Sequence, residues 1–147
     1  MAAYLSPDLT GSANQTSVPT GFKPAATVYG ARVKRLRGSF TLATQTTSDT
    51  LVIGSLPAGS TFAYGKITAS VSLGTSTIAV GVTGTTGKYR AAAVFTTVDT
   101  PTDFGNATTV ASATPLAAEE QVFVTIATAS LPASGTLVVD LYYSIPS

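Results

Sequence analysis

The sequence contains no cysteine, no histidine and no tryptophan. Without cysteine it cannot form a disulfide framework or a thiolate metal site. Without histidine it lacks the commonest general base and the commonest metal ligand. Glu119 and Glu120 are adjacent, and on a strand they would project to opposite faces, so they do not form a catalytic carboxylate pair. We therefore expect no enzyme activity, no catalytic residue, no cofactor and no bound metal.

Charge is also scarce, because charged residues make up 10% of the 147 residues while hydrophobic residues make up 44%. Soluble domains have about 25% charged residues. No apolar run approaches the roughly 20 residues that a membrane helix needs. The N-terminal sequence has neither the basic start nor the apolar core of a signal peptide. We therefore expect a surface covered by other protein, with no membrane partner.

Thr, Ala, Ser, Val and Gly dominate the composition, which is typical of sheets and turns. Residues 65–82 show the clearest period of two, interrupted by Gly74 and Thr75. The pattern predicts a β-hairpin with one buried face. The predicted buried residues are Ile67, Ala69, Val71 and Leu73, followed by Ile78, Val80 and Val82. The other face carries Thr, Ser and Ala with a single charge, Lys66.

Further strands are predicted at about 32–44, 49–54, 121–129 and 137–145, with the last two as neighbours. Similar turn sequences at 55–61 and 130–136 each follow one apolar strand and precede another. Residues 89–95 could form a short helix or a strand, and residues 96–114 are predicted to be a loop. Seven or eight strands indicate an all-β sandwich. Pattern alone leaves jelly-roll and immunoglobulin-like topologies open, and the lack of a Trp and a Cys pair favours a jelly-roll-like antiparallel β-sandwich over residues 31–147.

Residues 1–30 show no period and are punctuated by Pro7, Pro19 and Pro24, so they are predicted to be an extended N-terminal arm. The arm is either a disordered tail or a segment that becomes ordered on a neighbouring subunit. Its apolar residues favour the second alternative, since a solvating tail would not need them. The candidate contact residues in the arm are Tyr4, Leu5, Leu9 and Phe22.

Half of the eight basic residues lie in the first half of the 32–44 strand: Arg32, Lys34, Arg35 and Arg37. They could form a charged strand edge that discourages aggregation, or a contact with an acidic partner surface. No aromatic residues interleave this cluster and the net charge is +1, so nucleic acid is not expected as a partner.

Phe62 and Tyr64 would lie on the face opposite to Ile67. Either a β-bulge changes the register here, which we favour, or both aromatic rings face outward as anchors for a partner. Both residues are therefore included among the candidate contacts.

Four segments together resemble one group of viral proteins. They are residues 49–65 with the turn Leu56-Pro57-Ala58-Gly59, residues 70–82, the run Lys88-Tyr89-Arg90, and residues 131–139. They resemble small head proteins of tailed bacteriophages, known as decoration or cement proteins, and the likeness covers roughly residues 32–145. The resemblance implies a sandwich, often a homotrimer, on the outer surface of the phage head. The implied partners are the major capsid protein and other copies of this chain.

The alternative hypothesis is a receptor- or glycan-binding jelly roll of a phage tail or fibre. Four tyrosines could line a shallow site in that case. They are Tyr64, Tyr89, Tyr142 and Tyr143.

Overall fold

A computed structural model describes residues 32–112 and 114–145, so the predicted arm, with Tyr4, Leu5, Leu9 and Phe22, lies outside the described residues. Strands make up most of the regular secondary structure of the described part. The elements are β1 (Arg32–Thr41), β2 (Thr50–Leu56), β3 (Thr61–Ala69), β4 (Thr77–Val82), β5 (Thr85–Val94), β6 (Thr102–Phe104), α1 (Ala107–Ser112), β7 (Glu120–Ala127) and β8 (Thr136–Ile145). None of the described helical residues forms a helix long and apolar enough to cross a membrane.

The strands form two four-stranded antiparallel sheets, with the orders β1-β8-β3-β6 and β2-β7-β4-β5. The strands pair as in one long hairpin that is folded over into a sandwich. The pairs are β1 with β8, β2 with β7, β3 with β6 and β4 with β5. This is the jelly-roll arrangement of eight strands in two sheets. The predicted jelly-roll-like antiparallel β-sandwich is therefore confirmed.

The predicted hairpin over residues 65–82 is wrong, because β3 and β4 belong to different sheets. Their connection carries the chain across the sandwich rather than back along the same sheet. Leu73 lies buried in this connection, and its amide donates a hydrogen bond of 2.9 Å to the carbonyl of Phe95. Alternation correctly predicted the inward residues Ile67 and Val80, although Ala79, predicted to face outward, is also buried. A buried face does not specify the strand that pairs with it.

Two other sequence predictions are wrong, and one alternative that the sequence left open is resolved. β7 and β8 are not neighbours, since they lie in different sheets. The segment considered as a helix or a strand belongs to β5, so the strand alternative is right. The predicted loop over 96–114 contains β6 and the six-residue helix α1.

The antiparallel registers place the connections at two opposite ends of the sandwich. The β1–β2, β3–β4, β5–β6 and β7–β8 connections share one end. The β2–β3, β4–β5 and β6–β7 connections share the other end, which we call the arm end because β1 begins there at Arg32. The two similar turn sequences connect β2 to β3 and β7 to β8, and they therefore lie at opposite ends.

The core lies between the two sheets and is built from inward-facing residues of the alternating strands. On β8, Leu137, Val139 and Leu141 are fully buried, and β7 contributes Val122 and Val124 in the same way. Burying each such side chain stabilises the fold by about 1.5–3 kcal/mol. The core also contains Tyr89, which is fully buried despite its hydroxyl group.

The edge strand β5 is strongly bulged against β4. Val82 pairs with Thr85 and Val80 pairs with Arg90, so residues 86–89 all lie opposite Gly81. Bulges leave ladder carbonyls without strand partners. The guanidinium of Arg90 donates hydrogen bonds to the carbonyls of Ile78 and, at 3.3 Å, Val94. This side chain therefore completes the hydrogen bonding of the irregular edge.

Candidate functional site

A row of four charges crosses the outer face of the β1-β8-β3-β6 sheet. Arg37, Asp140, Lys66 and Asp103 are successive cross-strand partners, one on each strand, and their charges alternate in sign. Arg37 Nε and Nη2 donate to the two carboxylate oxygens of Asp140 at 2.7 and 2.8 Å. Lys66 Nζ donates to Asp103 at 2.5 Å. We call this set the charge row.

The hydrogen bond to Asp140 raises the pKa of Arg37, and the hydrogen bond to Asp103 raises the pKa of Lys66. Both side chains therefore remain protonated, and each is already paired with a neighbouring carboxylate. The sequence pattern placed Arg37 with the other basic residues of β1. In the structure its charge is instead balanced by Asp140 within the charge row. The ion pairs of the charge row join β1 to β8 and β3 to β6, and the row presents no net charge to a partner.

The remaining basic residues of β1 form a separate feature, which we call the basic patch: Arg32, Lys34 and Arg35. All three are exposed. Among the described residues, the ion pairs join Arg37, Lys66 and Lys88 to acids and include none of the patch. The patch lies at the arm end, on an edge strand. It is the part of the predicted basic cluster that is available to an acidic surface.

The predicted bulge near Phe62 and Tyr64 is present, since Phe62 pairs with Tyr143 while Tyr64 pairs with Tyr142. The extra residue turns Phe62 inward, where it is 6% exposed and its ring centroid lies 4.6 Å from that of Tyr89. Phe62 is thus corrected from a surface contact to a core residue. Tyr64 stays outside, is 40% exposed, and stacks on Tyr142 with a centroid distance of 4.7 Å.

The outer face of the other sheet has a different chemistry. Its outward residues on β2, β7 and β4 carry no charge among the described positions. They include Thr50, Val52, Gln121, Phe123, Thr125, Ala127 and Thr77. Val52 is half exposed, and the buried hydroxyl of Thr125 has no hydrogen-bond partner. This neutral face is suited to contact with protein rather than with a charged ligand.

A cavity of about 330 Å³ opens at the arm end of the sandwich. Phe62 and Tyr89 form its inner wall, and α1 and the chain after it form the rest. The lining residues are Phe62, Lys88, Tyr89, Thr109, Ser112, Thr114, Pro115, Leu116 and Ala117. The hydroxyl of Thr109 donates a hydrogen bond of 2.7 Å to the carbonyl of Lys88, which attaches α1 to β5.

The polar groups at this cavity are already paired with one another. Lys88 Nζ lies 2.6 Å from both carboxylate oxygens of Glu120, and the hydroxyl of Tyr89 donates to Glu120 Oε2 at 2.8 Å. Burial, and then the hydrogen bond to Glu120, raise the pKa of Tyr89 well above its ordinary value. The trio therefore fixes the cavity wall and is not poised for acid–base chemistry. The sequence analysis missed it because Lys88 and Glu120 are distant in sequence and neither carries a motif.

The raised pKa of Tyr89 predicts a loss of stability at alkaline pH. Its contribution is fully present below the ordinary pKa of 10.0 and is lost as pH rises above it, because only the unfolded chain ionises there. Tyr89→Phe should cost about 1 kcal/mol at about pH 8. The difference between the variant and the natural protein should shrink at about pH 11. Urea unfolding at both pH values measures this difference, and a constant difference would contradict the prediction.

No known family model matches the chain, and no curated protein matches it. Solved structures do match. A chain of the Cyanophage Pam1 capsid asymmetric unit superposes with a TM-score of 0.63 at 21% identity, covering 93% of this chain and 98% of that one. A chain of the capsid of Ralstonia phage GP4 gives 0.62 at 18% identity, with 91% and 92% covered. A chain of the capsid of Helicobacter pylori bacteriophage KHP30 gives 0.57 at 14% identity, with 78% and 89% covered. At these identities the likeness establishes a shared fold, and in all three cases the fold occurs in a phage capsid.

Proposed function

We propose that this protein is a structural component of a phage virion that binds the outside of the head and stabilises contacts between major capsid proteins. The observation that carries the proposal is the shared sandwich. The match covers more than nine tenths of both chains for the cyanophage and Ralstonia phage capsids. Because the shares are nearly equal, the matched chains are similar in length to this one. The fold is therefore matched as a whole unit rather than as an insertion in a larger protein.

The surfaces of the described residues support the same role. The neutral outer face around Val52, Phe123 and Thr125 would pack on protein, where each Å² of buried apolar area contributes about 25 cal/mol. The basic patch would contact an acidic region of the capsid. On a shell that offers many equivalent sites, linked copies in a homotrimer would convert a modest affinity into firm attachment. The arm residues Tyr4, Leu5 and Leu9 would add contacts on a neighbouring subunit.

The tyrosines give less support to the alternative role as a receptor- or glycan-binding protein. Tyr64 and Tyr142 stack on each other at an interplanar angle of 14°, so two of their four ring faces are covered. Tyr89 is fully buried. The four tyrosines considered for a shallow site therefore do not line one surface.

The proposed function is tested by co-sedimentation of the purified protein with expanded capsids that lack it. We expect binding to saturate at a fixed ratio to the major capsid protein, because each capsid offers a defined number of equivalent sites. Labelled antibody should decorate heads in electron micrographs. Absence of binding, or a label confined to tails, would overturn the proposal and favour the receptor-binding alternative.

Neutralising the basic patch should weaken capsid binding. Changing Arg32, Lys34 and Arg35 together to Gln removes three exposed cations, each of which contributes up to about 1 kcal/mol in a surface pair. The capsid affinity should fall on the order of tenfold at low salt, with less effect as salt is added. The matched control changes Arg32 and Arg35 to Lys, which keeps the charge and should keep most of the affinity. Equal binding by the Gln variant at low salt would remove the patch from the interface.

A further inference from the structure

We propose that the cavity at the arm end receives the side chain of Phe22 from the protein's own N-terminal segment. The inference concerns the isolated protein and does not depend on the proposed capsid role. It gives the cavity an occupant and attaches the arm to the sandwich at Phe22. Four observations carry it: the chemistry of the wall, the position of the rim, the reach of the chain and the sequence around Phe22.

The wall of the cavity suits an uncharged apolar group. Phe62, Tyr89 and Leu116 supply ring and aliphatic surface. Lys88 is the one charged lining residue, and its ammonium group is held by both oxygens of Glu120. An anionic ligand would have to compete with that carboxylate, and a cationic ligand would meet an ammonium group. Pockets of about 300 Å³ or more with mainly apolar walls are typical binding sites.

The rim of the cavity is open to solvent. Ser112, Thr114, Pro115 and Ala117 border it, and all four are exposed. Left empty, the cavity leaves the rim and part of Leu116 in contact with water, whereas Phe62 and Tyr89 behind them are already buried. An aromatic ring that covers this surface contributes about 25 cal/mol for each Å² removed from water.

The chain can reach the cavity from its own end. Arg32, the first residue of β1, pairs with Ile145, and the preceding residue of β8, Ser144, pairs with Thr61 beside Phe62. Two inter-strand spacings, roughly 10 Å, therefore separate the start of β1 from the start of β3. Phe22 precedes Arg32 by ten residues, which span up to roughly 33 Å when extended.

The sequence around Phe22 reduces the entropic cost of docking. Pro19 and Pro24 flank it, and a proline restricts both its own backbone and that of the preceding residue. Fewer conformations are then lost when the segment becomes ordered. Phenylalanine also has no hydroxyl group that would need a partner inside the apolar wall. Docking at Phe22 would release the preceding residues, with Tyr4, Leu5 and Leu9, from the mouth of the cavity toward a neighbouring molecule.

The first test uses the absence of tryptophan from the natural sequence. In the full-length variant Phe22→Trp, one indole reports on one position. We expect emission shifted to shorter wavelength than that of a matched Leu9→Trp variant in dilute solution. Adding Ala117→Phe, which fills the mouth of the cavity, should return the Phe22→Trp emission to the solvent-exposed wavelength. A solvent-like emission at the outset, or no response to Ala117→Phe in a variant with unchanged circular dichroism, would overturn the proposal.

The second test uses the absence of cysteine and does not need the cavity to be filled. The double variant Phe22→Cys/Ala117→Cys should form a disulfide within one chain under mild oxidation, detected by mass spectrometry and non-reducing electrophoresis. The matched pair Leu9→Cys/Ala117→Cys should link much more slowly. Linked dimers in place of linked monomers would show that the segment of another copy occupies the cavity, which would overturn the assignment to the same chain.

Discussion

Replacing Gly81 with alanine is expected to destabilise the sandwich by about 3 kcal/mol or more, the upper end of the cost of overpacking. A β-carbon at this position would clash with the carbonyl oxygens of Thr85 and Thr86. Both obstacles are backbone atoms of the bulged strand β5, so no side-chain rotation relieves them. The bulge exists because residues 86–89 fold over Gly81, and it carries Lys88 and Tyr89 to the cavity. Chemical denaturation at neutral pH measures the loss.

Gly65→Ala is the matched control, because it adds the same methyl group to another glycine of a strand. The new β-carbon would meet the ring of Phe104, the cross-strand partner of Gly65 on the three-residue strand β6. The obstructing atoms are the far end of a side chain at a sheet edge, which can move. We expect a cost of about 1 kcal/mol, at the low end for overpacking. If both variants lost equal stability, the argument from the fixed backbone of the bulge would fail.

Period-two patterning predicted the strands and their buried faces, and it did so because alternation depends only on each strand and the core. Ile67 and Val80 are both buried as predicted, yet they belong to strands in different sheets. The choice between a hairpin and a crossing depends on the whole topology. In the β3–β4 connection, burial of Leu73 against the chain near Phe95 accompanies the crossing. No local pattern around Gly74 expresses that long-range contact.

Only those parts of the candidate site that depend on residue type alone, and not on contacts between distant residues, could be predicted from the sequence. The basic patch follows from composition, because exposed cations on an edge strand need no partner within the chain. Arg37 could not be separated from it, since its carboxylate partner Asp140 is 103 residues away. The cavity was equally hidden, because its wall joins Phe62, Lys88 and Leu116 from three separate parts of the chain. Cross-strand register brings such residues together, and the sequence predicted strands without predicting their register.

Glu120 is expected to be the most sensitive polar residue of the cavity wall. Its carboxylate accepts hydrogen bonds from both Tyr89 and Lys88. Glu120→Ala leaves the buried hydroxyl of Tyr89 without its acceptor, a loss of about 1–3 kcal/mol, so we expect a loss of about 2 kcal/mol in the free energy of unfolding. Lys88 limits the damage, because its side chain is 26% exposed and can be hydrated. The adjacent Glu119 is exposed, and Glu119→Ala should change stability by less than about 0.5 kcal/mol.

A double-mutant cycle separates the loss of the hydrogen bond from the loss of side-chain volume. Tyr89→Phe removes the hydroxyl group alone, so Glu120→Ala in that background no longer leaves a buried donor unpaired. The double variant should therefore be more stable than the sum of the single losses predicts, by about 1 kcal/mol, within the range for residues in contact. Strictly additive losses would mean that Tyr89 and Glu120 act independently. Coupling of the expected size would establish that the hydrogen bond between β5 and β7 holds the cavity wall in place.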